Sequence, residues 1–291
     1  MKFIDLHMHT TASDGMLGPK QIVDAVLEKN LAAMAVTDHD SINNVEEVMK
    51  IGKEKGIEVV SGVEITVDDD EYGFDDVHVL GLFIDIHNNE INDLLNSSKD
   101  ARLKQKKETI RRLQELGYNV TYEETQEFVT GEPGRPHIAN VLMKNHPDEF
   151  PEMDDTFKKL LAKGRPGFVD RTVKTKMKSA IDAIKAAGGI AILCHPGVYE
   201  NVDIDEMIKM FVKLGGQGLE TYYPYDRFKK HKGISKQELK ELISYYQKKC
   251  EEFGLVESGG SDYHGTEKVE LGEAEVPYSV LERLKEFKRK H

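Results

Sequence analysis

The apolar positions change their period several times along this chain, and each change marks an element. Phe3, Asp5, His7 and His9 stand at alternate positions, so a strand over residues 2–6 running out through His9 carries all four on one face. Pro19 opens a stretch to Asn30 in which Ile22, Val23, Val26 and Leu27 recur at helical spacing. Residues 32–37 form an apolar run of strand length. Ser41 then stands as the cap of a helix that Gly56 stops. Strands are expected at 57–63, ending at Glu64, and at 77–83, with His78 near the start of the second. The acidic residues at 68–76 read as a solvated loop between them.

From about residue 89 the pattern becomes mostly helical, over 89–117, 122–129, 136–145 and 152–163, with glycine- and proline-rich loops at 131–134 and 164–167. That stretch is too long for a connection and too helical for a linker. After it, strands at 190–193, 218–222 and 255–257 alternate with helices at 178–187, 204–214, 235–253 and 277–290. The expectation is an α/β core with mainly parallel strands, built from residues 1–88 and 178–291, with residues 89–177 as an inserted helical subdomain. A chain of 291 residues suits one α/β barrel, which often needs about 250.

Charge narrows the function classes. Forty basic against 52 acidic residues leave a net −12, which argues against a coat for duplex DNA. Cys194 and Cys250 have no CxxC spacing, so a disulfide framework is not expected and a reducing cytoplasm fits. No apolar run approaches the roughly 20 residues of a membrane span. The oligomeric state is not legible.

Donor side chains gather where strands end. His7, His9, His39, Glu64, His195, Asp262 and His264 take such places, Asp14 follows the first strand, and His78 lies in the fourth. In folds of alternating strands and helices, chemistry collects at the C-terminal rim of the strands. Nitrogen and carboxylate donors without thiolates suit hydrolytic sites for zinc, manganese or iron. Gly15, Gly62, Gly259, Gly260 and Gly265 allow close backbone approach. Cys194 reads as a small buried residue beside a ligand rather than a thiolate ligand. His87, His146, His231 and His291 look scattered.

Asp5-Leu6-His7-Met8-His9, Ser13-Asp14-Gly15, Thr37-Asp38-His39-Asp40, Gly62-Val63-Glu64, His78, His195-Pro196 and residues 260–265 together resemble the polymerase and histidinol phosphatase superfamily, the PHP domain. Gly134-Arg135-Pro136-His137-Ile138-Ala139 in a helical insertion looks like its branch of nucleoside 3′,5′-bisphosphate phosphatases, also described as 5′-to-3′ exoribonucleases of short RNA. The resemblance implies a distorted seven-stranded barrel around three divalent metal ions, manganese first, iron or zinc as alternatives. His7, His9, Glu64 and Asp262 would hold one ion. Glu64, His78 and His195 would hold the second, and Asp14, His39 and His264 the third. It implies hydrolysis of a phosphate ester by metal-activated hydroxide, with a phosphorylated nucleotide or short RNA as substrate. A histidinol-phosphate-type phosphatase and a non-catalytic metal-binding module are the alternatives.

Other residues carry expectations of their own. Arg135, a bidentate phosphate fork, and His137 are the expected substrate-binding and catalytic residues of the insertion. Asp5, Asp38 and Asp40 are candidates for orienting ligand imidazoles, Asp40 being equally readable as a helix-start carboxylate. Tyr222, Tyr223 and Tyr225 can stack on a base or pack in the core. Two basic stretches, 99–112 and 158–178, read as solvated helix faces or as a positive rim.

Overall fold

A computed structural model describes residues 2–128, 134–171, 173–200 and 202–291. Of the expected elements, the last residue of the 122–129 helix and residues 131–133 of the glycine-rich loop lie outside them. The strands are β1 (Phe3–Ile4), β2 (Ala33–Val36), β3 (Glu58–Asp69), β4 (Phe74–Leu82), β5 (Ile190–Leu193), β6 (Gly218–Tyr222), β7 (Val256–Gly259) and β8 (Val276–Pro277). The helices are α1 (Pro19–Glu28), α2 (Val45–Lys55), α3 (Asn89–Glu115), α4 (Tyr122–Gln126), α5 (Arg135–Asn145), α6 (Met153–Thr156), α7 (Met177–Ala186), α8 (Ile204–Lys213), α9 (Lys236–Phe253) and α10 (Tyr278–Lys290). A π-helical turn at Phe157–Leu161 follows α6. Among the described residues no helix is long and apolar enough to cross a membrane.

The fold is mixed α/β around a parallel-rich sheet of order β2-β3-β4-β5-β6-β7. β2/β3, β5/β6 and β6/β7 are parallel, while β4 is antiparallel to both neighbours. The expected closed barrel is not formed by these ladders, which stop at β2 and β7. β1 pairs with β8 instead. The chain after β1 runs between β2 and β7 without a regular ladder: Asp5 bridges Met34 of β2, Leu6 N–H bonds the Gly259 carbonyl of β7 at 3.2 Å, and Met8 bridges Tyr263 beyond β7.

Two boundaries differ from the sequence reading for physical reasons. β3 does not end at Glu64 but runs five residues further as one arm of a hairpin with β4. Val63, Ile65 and Val67 continue one buried apolar face, so the carboxylate at 64 is an inward side chain and not a strand end. α2 starts at Val45 after Asn44, not after Ser41. The chain first turns back at Asp40, whose φ is +47°, and its N–H bonds the Glu64 carbonyl at 2.8 Å.

The sheet's two faces explain where the site lies. One face packs Val79, Ala191 and Leu193 against Ile181, Ile184, Ile208 and Phe211 of α7 and α8. The other places Val60, Leu80, Leu82, Ile190 and Ile192 against Val280, Leu281 and Leu284 of α10. On this second face the apolar end gives way, at the same strand parity, to Glu64, Thr66 and His78. The helices after β4 have a core of their own, from Ile110 and Leu113 to Leu160 and Leu161. The front half of α3, with Ile91 and Leu95, belongs instead to the sheet.

Candidate metal centre

Glu64 lies at the middle of the polar end. Its carboxylate is 3.0 Å from His39 Nδ1 and from His78 Nδ1, 3.2 Å from His195 Nε2, and 3.3 Å from His7 Nε2 and His9 Nε2. Asp262 faces His9 Nε2 at 3.0 Å and His7 Nε2 at 3.4 Å. Asp14 lies 3.3 Å from His264 Nε2, 3.7 Å from His9 Nδ1 and 3.9 Å from His39 Nε2. The nine residues come from seven separate stretches of chain and converge on one mouth. Their donors fall into overlapping groups able to hold an ion: His7, His9, Glu64 and Asp262; His9, Asp14, His39 and His264; His39, Glu64 and His78; and Glu64 and His195 beside Cys194.

The backbone is bent to achieve this. His195 and Asp262 have φ of +27° and +57°, conformations that L-residues rarely adopt and that persist where surrounding structure enforces them. Asp262 N–H bonds the His7 carbonyl at 2.9 Å, and His9 N–H bonds the Tyr263 carbonyl at 2.9 Å, so the two donor loops are stitched together. Gly260 makes this possible, since a Cβ there would lie 2.4 Å from the Cβ and N of His7.

Burial alone would keep His78 and His264 neutral. Facing carboxylates outweigh it, Glu64 and Asp76 raising His78 to about 10, Asp262 and Asp14 raising His264 to about 9. Burial, against the pull of Glu64 and Asp14, takes His39 down to about 4. Burial also opposes ionisation of Glu64, yet His39, His78 and His7 hold its carboxyl well below the usual range. Among the described residues, nine buried side-chain polar atoms lack a hydrogen-bond partner. Seven of them are on His7, His9, His39, Glu64, His78 and His195. Buried polar atoms are ordinarily satisfied, so this concentration, with nitrogen and oxygen lone pairs close together, fits divalent cations.

The expected supports divide differently. Asp5 bonds no imidazole. It accepts from the N–H groups of Ser261 and Gly272 at 2.9 Å and of His7 at 3.3 Å, pinning backbone. Asp38 takes Thr10 N–H at 2.7 Å, Thr10 Oγ1 at 2.6 Å and Ser13 Oγ at 2.7 Å. Asp40 accepts from Thr66 N–H at 3.0 Å and pairs with Arg102 of α3. Two other carboxylates meet an imidazole, Asp76 at 3.7 Å from His78 Nε2 and Glu220 at 2.9 Å from His7 Nδ1, and sequence reasoning missed Glu220. Its signal was a lone acidic residue inside the short strand 218–222. Tyr223 was read as a stacking or core residue. It is buried and donates to Asp262 at 2.7 Å, and Tyr225 is fully buried, so neither offers a stacking face.

A cavity of about 700 Å³ opens beside Asp14 and His39, between the loops after β1 and β2 and the helices α3 and α5. Lys99, Arg102 and Lys106 line it from α3. His137 also lines it, and its Nδ1 accepts the Gly134 N–H at 2.7 Å, closing the first turn of α5. Arg135 does not line this cavity. It stands with its guanidinium 5.8 Å from the Phe168 ring, on a recess of about 60 Å³ shared with Arg102, Lys106 and Arg171. The second basic stretch is largely neutralised by the acidic hairpin tip. Lys163 pairs with Asp75 at 2.9 Å, Lys174 with Asp70 at 2.8 Å and Arg171 with Asp68 at 3.3 Å.

The sequence profile of the PHP domain matches residues 5–168, more than half of the chain. This chain belongs to the PHP domain family. One relative, a 5′-3′ exoribonuclease of Haemophilus influenzae, is 32% identical over 265 residues, 90% of either chain. A 3′,5′-nucleoside bisphosphate phosphatase of Chromobacterium violaceum is 28% identical over 268 residues, 91% of this chain and 88% of its own. Among solved structures, an amidohydrolase from Chromobacterium violaceum with bound sulfate and no metal superposes with a TM-score of 0.79. It shares 27% identity, with 97% of this chain and 96% of that one covered.

Proposed function

We propose that this PHP-family chain is a metal-dependent phosphoesterase acting on nucleotides. The reaction read here is removal of the 3′-phosphate of nucleoside 3′,5′-bisphosphates, 5′-to-3′ exonucleolytic cleavage of short 5′-phosphorylated RNA, or both. The observation that carries the reading is the set of seven unsatisfied buried donor atoms grouped around Glu64 beside a cation-lined cavity. The names of the relatives agree with it. In this reading the core is a distorted barrel, with residues 5–9 filling the gap between β2 and β7. Residues 89–177 form the insertion that walls the substrate cavity.

His7, His9, Glu64 and Asp262 would hold one divalent cation, Glu64, His78 and His195 a second, and Asp14, His39 and His264 a third. Manganese is the first choice, iron and zinc the alternatives. Bound, such ions lower the pKa of water and neutralise phosphoryl charge. The chain supplies the rest. Lys99, Arg102 and Lys106 draw the polyanion to the cavity. Asn43 and Asn96 offer amides, and Ile42 and Leu95 apolar surface, suited to a nucleoside. Arg135 offers a fork for a second phosphate in the adjoining recess, an anchor that holds the ester in line for attack. His137 braces the turn that presents Arg135.

The test is a panel assay with manganese-loaded protein on adenosine 3′,5′-bisphosphate, a 5′-phosphorylated trinucleotide RNA, adenosine 3′-monophosphate and histidinol phosphate. The bisphosphate or the RNA should lead in kcat/KM by at least tenfold. A lead for histidinol phosphate would overturn the nucleotide reading, and turnover of none would overturn the enzyme.

A further inference from the structure

The geometry points to Glu220 as the residue that positions two of the proposed metal ligands at once, fixing the tautomer of His7 and the backbone of His195. This rests on the metal reading above and adds to it. Glu220 is fully buried on β6, between Leu219 and Thr221, also buried. A buried carboxylate is costly unless each oxygen finds a donor. One oxygen lies 2.9 Å from His7 Nδ1, and the other accepts the His195 N–H at 2.7 Å.

Each bond has a consequence. An ionised carboxylate can only accept, so Nδ1 of His7 must carry the proton. In the neutral imidazole that a metal ligand must be, Nε2 then keeps the lone pair, and Nε2 is the atom that faces Glu64 and Asp262 at 3.3 and 3.4 Å. The second bond ties down the residue whose φ is +27°, two positions beyond the end of β5, and so sets where the His195 ring meets Glu64 at 3.2 Å. β6 carries no donor of its own to the centre, yet through one side chain it joins the ligand loop after β1 to that after β5. Tyr225 holds the same segment from behind, its hydroxyl donating to the Glu220 carbonyl at 3.1 Å.

Glutamine at 220 keeps the shape but offers one acceptor and one donor. It cannot accept from His7 and from the His195 N–H at the same time. With its NH₂ toward His7, the imidazole must shift its proton to Nε2 and cannot ligate. With its NH₂ toward His195, two N–H groups oppose each other.

The experiment is zinc binding by competition with a chromophoric chelator for the unsubstituted protein, Glu220→Gln and Glu220→Asp, with the melting temperature of each metal-free protein. Long-range ¹H–¹⁵N correlation of histidine-labelled, zinc-loaded protein gives the tautomer of His7, assigned with His7→Asn. Glu220→Gln should keep its fold and lose affinity for at least one ion by about 10- to 100-fold, the usual effect of removing a ligand's orienting partner. Glu220→Asp, which keeps two acceptors, should recover part of it, and His7 should carry its proton on Nδ1. Unchanged affinity in Glu220→Gln, or His7 bound through Nδ1, would overturn the inference. If Glu220→Gln does not fold, the tautomer in the unsubstituted protein decides. Absence of zinc binding by that protein would instead sink the metal reading itself.

Discussion

Five imidazoles lie within 3.0–3.3 Å of the Glu64 carboxylate, and burial and charge act on them unequally. With burial opposing and Glu64, Asp76, Asp262 and Asp14 prevailing, His78 titrates near 10 and His264 near 9. Both are therefore charged at pH 7 when no cation is bound, and both must be neutral to ligate one. Manganese binding at pH 7 should release at least two protons per chain. Calorimetric titrations in buffers of different ionisation enthalpy measure this as the slope of observed against buffer enthalpy. At pH 9, where His264 has already given up about half of its proton unaided, the release should be smaller. Release that is the same at pH 9 as at pH 7 would mean other groups carry these protons. The side chains that converge here were marked in the sequence by their motifs, although Glu64 and His78 lie inside β3 and β4 and not at strand ends. Glu220 was not, because a single acidic residue in a strand has no spacing to mark it, and only the fold brings it to His7.

The hairpin of β3 and β4 and the helix α3 are tied to the donor cluster through charged side chains of unequal worth. Arg102 of α3 pairs with Asp40 and donates to Thr66 Oγ1 at 2.6 Å, and the Asp40 side chain is 2% exposed. Arg102→Ala leaves that carboxylate nearly buried without its cation. It should cost about 2 kcal/mol in urea unfolding, below the 3–5 of a fully buried pair because Arg102 is itself partly exposed. Asp69, at the end of β3, accepts the Met177 N–H at 3.1 Å and so caps α7 from a distant strand. Asp69→Ala should cost about 1 kcal/mol, as lost N-caps do. Lys174→Ala, which removes only the exposed pair with Asp70, should leave the unfolding midpoint where it was. Equal effects of the last two would contradict the distinction. In the sequence, residues 68–76 read as a solvated loop. The apolar alternation through Val63, Ile65 and Val67 was the signal that β3 continued, masked by the charge at 64.

At the scale of the molecule, the alternation of strands and helices was legible from period and length, since buried strands and amphipathic helices write different patterns. Sheet order, the reversed β4 and the open gap between β2 and β7 were not, because they depend on which edges meet. The cavity is likewise a product of assembly: its walls come from loops after β1 and β2 and from α3 and α5, elements far apart in sequence. The central claim is that these elements close around divalent cations held by Glu64 and its neighbours. Anomalous difference density from a crystal of manganese-loaded protein tests it most directly. The account predicts peaks at coordination distance from Glu64 and from Asp14, lost together with bisphosphate hydrolysis after chelation. A map with no peak at these side chains, in protein that still hydrolyses the ester, would contradict it.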